Sequence, residues 1–172
     1  MVFPDEILLE TFKHIQTDYR SLFSCLLVNR QWCKIIVPIL WSEPIKHVDD
    51  KRLIKIYLSE LNAKEQASLI PFNIFLPNYP KPLFDYASYT TTVGFHLTDG
   101  ILSWLNNEGL GEIIYDIIET EVEFAIKCSL ISMFLRKNEK LKHLEIKGNI
   151  NMMILEGLRI NNTVTYLDLL FD

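Results

Sequence analysis

Cys25, Cys33 and Cys128, with His14, His47, His96 and His143, are the residues best suited to serve as nucleophile, base or metal ligand. None of them shows the short paired spacing of a zinc site. A thiol nucleophile would be Cys25 or Cys33 with His14 or His47 as its base, but nothing in the sequence orients such a base. Three cysteines without paired spacing read instead as reduced, buried thiols. No glycine precedes Gly94, so no phosphate-cradling loop lies in the first 93 residues. Gly109-Leu110-Gly111 lacks the third glycine and the preceding strand of a dinucleotide site. Glu119, Glu121 and Glu123 read as a solvated helix start. The expectation is a chain without catalytic residues, metal or cofactor: not an enzyme.

The elements that hold these residues suggest a different kind of work. The chain has 172 residues, 49% apolar and 23% charged, with a net charge of −5. That balance fits a globular protein and gives no ground for binding nucleic acid or an anionic membrane. Asp5 and Glu6 stand where a signal peptide would be apolar. The longest apolar run, Ile35 to Trp41, is too short for a membrane span. A cytoplasmic or nuclear location, or both, is expected.

Pro4, Asp5 and Glu6 suit a first helical turn. Leu8, Phe12 and Ile15 then recur at helical spacing, with Ile7 alongside. Thr17 or Asp18 caps a second helix carrying Leu22, Phe23, Leu26 and Leu27. Asn29 interrupts, and Trp32, Ile35, Ile36 and Ile39 form a third stripe, with Pro38 placed to kink or shorten its helix. Three helices of this length cannot hide so much apolar surface among themselves, so the remainder must meet other residues or another chain.

Phe3-Pro4-Asp5-Glu6-Ile7-Leu8, Leu26-Leu27-Val28-Asn29-Arg30-Gln31-Trp32 and Pro38-Ile39-Leu40-Trp41 resemble, in order and spacing, the F-box family; Phe3 stands where that family usually has leucine. The resemblance covers roughly residues 3 to 44. It implies docking on a Skp-family adaptor, and through it on a cullin, with Phe3, Pro4, Ile7, Leu8, Leu26, Val28 and Trp32 as the contact residues.

Beyond the third helix, Asp49-Asp50 can cap a helix with Leu53, Ile54, Ile56, Tyr57 and Leu61, and Asn62 to Glu65 reads as a capping box. Phe72, Ile74 and Leu76 alternate like a short strand. The prolines at 77, 80 and 82 then impose an extended or irregular path. Tyr79, Phe84, Tyr86 and Tyr89 either pin that path to the domain or line a peptide-binding groove, with the first favoured. A helix from Thr98 or Asp99 ends at Asn106-Asn107.

Near the C-terminus Thr120 to Glu123 is a second capping box, opening a helix with Val122, Ile126, Leu130, Met133 and Phe134. Leu141-x-x-Leu144-x-Ile146 recurs 23 residues on as Val164-x-x-Leu167-x-Leu169, with a helical segment between. That period and pattern are the leucine-rich repeat signature, and predict parallel strands. Leu110, Ile113 and Tyr115 form a degenerate earlier copy. Lys142, His143, Glu145, Lys147, Thr165, Tyr166 and Asp168 are the residues expected to face away from the buried leucines and to offer a surface to an unknown protein client. Two repeats cannot close a solenoid, so either the chain is a truncated form of a longer repeat protein or it stacks on a partner.

The expected fold is mostly α with a small α/β part. It comprises a three-helix F-box over 1–45, a helical and irregular linker region over 46–119 and a partial leucine-rich repeat-like region over 120–172. The expected function is the substrate-recognition adaptor of a Skp–cullin–F-box ubiquitin ligase. The alternative is a leucine-rich interaction scaffold attached to no ligase.

Overall fold

The structure is a computed structural model. It describes residues 3–44, 51–74, 76, 82–107 and 117–170. The chain divides into two compact units, Met1–Glu43 and Pro44–Asp172.

The N-terminal unit holds α1 (Asp5–His14), α2 (Tyr19–Leu26) and α3 (Arg30–Leu40). Asp5 and Glu6 occupy the positive end of α1, and Lys13 and His14 its negative end. Asp18 caps α2, accepting from the Ser21 amide at 3.1 Å and the Ser21 hydroxyl at 2.6 Å. Asn29 caps α3 by accepting from the Trp32 amide at 2.9 Å. Pro38 lies inside α3, yet the helix runs on to Leu40. Leu8, Phe12, Leu22 and Ile36 form the core, and Ile15, Leu26, Trp32, Ile35 and Ile39 pack against it. The Phe12 and Trp32 rings meet edge to face at 5.1 Å. Helix α3 packs on both α1 and α2.

The C-terminal unit contains α4 (Lys51–Leu58), α5 (Ala63–Ala67), β1 (Thr92–Val93), α6 (His96–Asn107), α7 (Ile117–Lys137), β2 (His143–Lys147), α8 (Met152–Ile160) and β3 (Tyr166–Leu170). The strands form a parallel sheet in the order β1-β2-β3. Leu144 pairs with Leu167 and Ile146 with Leu169, so the 23-residue sequence period is the register of the sheet. The two strands differ in cover. Leu144 is fully buried, whereas Leu167, its partner across the ladder, is 43% exposed. Gly148 leaves β2 with φ +83, a conformation open to glycine, and its amide donates to the Leu170 carbonyl at 2.7 Å.

Helix α7 is the axis of this unit. From Val122 to Leu135 it buries residues on every side, including Lys127, Ser129 and Ser132. It contacts α5, α6 and α8. A helix that is buried on every side is an interior element, and its polar groups need partners there. Charged staples join it to its neighbours. Glu65, 3% exposed, takes two parallel bonds of 2.8 Å from Arg136, and its side chain also completes the α5 capping box with Asn62. Lys137 bridges Glu60 at 2.5 Å and Asp85 at 2.6 Å. Burial pushes the Glu60 carboxyl above its ordinary range despite Lys137. Burial opposes the charge on Lys137, but Asp85 and Glu60 outweigh it and raise its pKa. Asn138 is buried and donates to the carbonyls of Ala87 and Thr90, tying the end of α7 to the turn before β1.

Several sequence expectations give way here. Phe72 and Ile74 do not belong to an alternating strand: Ile70–Phe72 is a turn of 3-10 helix, and Asn73 follows at φ 55. Pro71 favours the turn and asparagine tolerates the left-handed position, which together outweigh the alternation. Helix α7 starts at Ile117, ahead of the Thr120 capping box, and α6 starts at His96, ahead of Thr98. Glu123 is not solvated. Its side chain is 14% exposed and pairs with the buried Lys127 at 3.2 Å, because a buried ammonium needs a counter-charge. The Asp49-Asp50 cap, His47, Tyr79 and the Leu110-Ile113-Tyr115 copy lie outside the described residues.

Candidate functional site

The N-terminal unit encloses its core and leaves a second apolar set outside. Phe3 (51% exposed), Ile7 (56%), Phe23 (59%), Leu27 (69%) and Val28 (58%) all face solvent. Along α2 and its C-cap the division is clean: Leu22 and Leu26 turn toward the core, while Tyr19, Phe23 and the capping Leu27, at i, i+4 and i+8, form an outer stripe. Gln31 organises the corner above that stripe. From the first turn of α3 its amide donates to the Phe3 carbonyl at 2.9 Å and to Asp5 Oδ1 at 2.6 Å. This clips the start of α1 to the α2–α3 turn that carries Leu27 and Val28.

Of the seven residues the resemblance pointed to, Phe3, Pro4, Ile7 and Val28 are exposed. Leu8 is in the core, and Leu26 and Trp32 are half-buried against it. Those three set the positions of the helices rather than offering free surface. Sequence reasoning listed Phe23 and Leu27 with Leu22 and Leu26 on the second helix without separating their faces, and gave Gln31 no role. The signal for the first two was their i, i+4 spacing, offset by one residue from Leu22 and Leu26. For Gln31 there was none, since its partners are 26 and 28 residues away.

In the C-terminal unit the strand face opposite Leu144 and Ile146 carries His143, Glu145 and Lys147 beside Tyr166 and Asp168. The His143 and Tyr166 rings lie 5.6 Å apart, and the two carboxylates sit at paired positions, Glu145 with Asp168. Lys142 and Thr165 precede the strands, at the same alternation as the leucines rather than opposite them. Both are exposed, and the Thr165 amide donates to the Lys142 carbonyl at 2.9 Å.

The thiols stand apart from both surfaces. Cys25 and Cys33 are half-buried, and Cys128 is buried, its pKa pushed up to about 11 by burial. His14 donates through Nδ1 to the Glu10 carbonyl at 2.7 Å. Among the described residues no group of His, Cys, Asp and Glu is arranged to hold a metal ion. No described helix is long and apolar enough to cross a membrane.

A family model described as F-box-like matches residues 3–47, the stretch that contains α1, α2 and α3. The match supports placing this N-terminal domain in the F-box family. No curated protein and no solved structure matches the chain.

Proposed function

We propose that this chain is the substrate-recognition adaptor of a Skp–cullin–F-box ubiquitin ligase. The observation that carries the reading is the apolar set of Phe3, Ile7, Phe23, Leu27 and Val28, left outside a three-helix domain that already has its own core. Large apolar side chains set outside a completed core are read as the surface that a partner covers. A Skp-family adaptor is the partner typical of the F-box-like domain that carries it, and a cullin joins through that adaptor. In the C-terminal unit the β2–α8–β3 repeat is read as leucine-rich, and His143, Glu145, Lys147, Tyr166 and Asp168 as the surface offered to a protein client, with Lys142 and Thr165 at its margin. Ubiquitin transfer belongs to other subunits. This chain contributes proximity, raising the local concentration of client lysines at the transferring enzyme. The setting is the cytoplasm or nucleus, where such ligases meet their clients.

The test is binding of the full chain to a purified Skp-family adaptor, comparing wild type with the Ile7→Asp, Val28→Asp double variant. Both sites are exposed, so circular dichroism should not change. Two buried charges at an interface centre should weaken binding by about 100-fold or more. Equal binding by the two proteins would refute the docking surface, and absence of binding by wild type would favour a free-standing scaffold.

A further inference from the structure

Helix α1 starts without a side-chain cap. Pro4 takes the N-cap position with φ −58 and ψ 144, and its side chain offers the helix no hydrogen bond. Phe3, one residue further out, is 51% exposed. Among the described residues the one hydrogen bond to it comes from α3, where Gln31 Nε2 donates to the Phe3 carbonyl at 2.9 Å. The same nitrogen donates to Asp5 Oδ1 at 2.6 Å. A carbonyl and a carboxylate can only accept, so the amide nitrogen of Gln31, not its oxygen, must face them. Each of its two hydrogens then has one acceptor.

The base of this clip is rigid. Gln31 stands between Asn29, whose side chain caps α3, and Trp32, whose ring meets Phe12 edge to face at 5.1 Å. Its backbone cannot follow the start of α1, so the two bonds tie that start to α3 instead. A chain start left untied samples many positions, and ordering it on a partner costs affinity. Both bonds are exposed, so water would satisfy the two acceptors if the amide were removed. The clip therefore adds little to folding and bears chiefly on where Phe3 is held.

We propose that Gln31 is a positioning residue for adaptor docking. It acts through Phe3, fixing that side chain within the outer apolar set before the partner arrives. The inference rests on the docking reading above and adds a residue that the resemblance did not count among the contacts.

The test is a double-variant cycle of Gln31→Met and Phe3→Ala, read as binding of the full chain to a purified Skp-family adaptor. Methionine is unbranched like glutamine but brings neither the amide donors nor a charge. Gln31→Met should weaken binding about tenfold while melting within about 2 °C of wild type. Phe3→Ala should also weaken binding about tenfold. Because Gln31 works through Phe3, the double variant should bind no more weakly than Phe3→Ala alone, whereas independent effects would multiply to about 100-fold. A residue that only supported the fold would weaken binding in both backgrounds. Wild-type affinity for Gln31→Met, or the multiplied loss in the double variant, would overturn the proposal and leave the docking surface standing. Absence of adaptor binding by wild type would overturn both.

Discussion

On α2, Leu22 is fully buried and Phe23 beside it is 59% exposed; on α5 and α7, Glu65 is 3% exposed and locked to Arg136. Both units leave large apolar groups in water, Phe23 and Leu27 in one and Ile160 and Leu167 in the other, but the C-terminal unit also places charges in its interior. The contrast separates two ways of finishing a small fold. Charges inside the C-terminal unit are neutralised within it, through Glu65–Arg136, Glu60–Lys137–Asp85 and Glu123–Lys127. Such pairs fix which elements dock where more than they add net stability. The N-terminal core is built of apolar side chains, Leu8, Phe12, Leu22 and Ile36, and a second apolar set stays outside it.

The contrast breaks if the charges inside the C-terminal unit prove dispensable. Glu65→Ala leaves the Arg136 guanidinium without its carboxylate and opens the α5 capping box, so chemical denaturation should show a loss of about 3 kcal/mol. That is the low end for a broken buried pair, because Arg136 is 40% exposed and can reach water. Within the N-terminal unit, Leu22→Ala should cost a similar ~3 kcal/mol. Phe23→Ala should change the stability of the free protein by less than about 0.5 kcal/mol. Equal costs at the two positions would erase the distinction between the inner and outer stripes.

Alkaline pH sharpens the difference by acting on the C-terminal unit. Burial holds the Cys128 pKa at about 11, above the 9.0 of a free thiol. Between those values the folded chain keeps a proton that the unfolded chain loses, so stability falls as pH rises from 9 to 11. Lys137, whose pKa is raised, contributes fully below the ordinary lysine value and loses its contribution as pH passes the raised one. Melting followed across this range should show the decline, and Cys128→Ala should flatten its first part. A modest effect is expected at a cap: Asn29→Ala should lower stability by about 1 kcal/mol, read as a small shift in the denaturation midpoint.

Elements with a local cause were legible in the sequence. Asp18 and Asn62 each cap the helix that follows them, and the recurrence of Leu144-x-Ile146 as Leu167-x-Leu169 states the register of β2 with β3 outright. Features set by distant partners were not. Val93 is buried in a strand of two residues whose place depends on pairing with Leu144, 51 positions later. Alternation at Phe72 and Ile74 misled, because Pro71 and Asn73 favour a turn there. In the candidate docking surface, motif order identified the region. Which side chains face out depended on helix packing, and so Leu8 proved internal while Phe23 and Leu27 did not.

Hydrogen–deuterium exchange on the full chain, alone and with a saturating Skp-family adaptor, tests the docking claim most directly. The account predicts slowed exchange over residues 5–10 and 23–31, where the exposed apolar set is carried, and unchanged exchange over residues 143–170. Protection confined to 143–170, or none in either region while the adaptor remains bound, would contradict it.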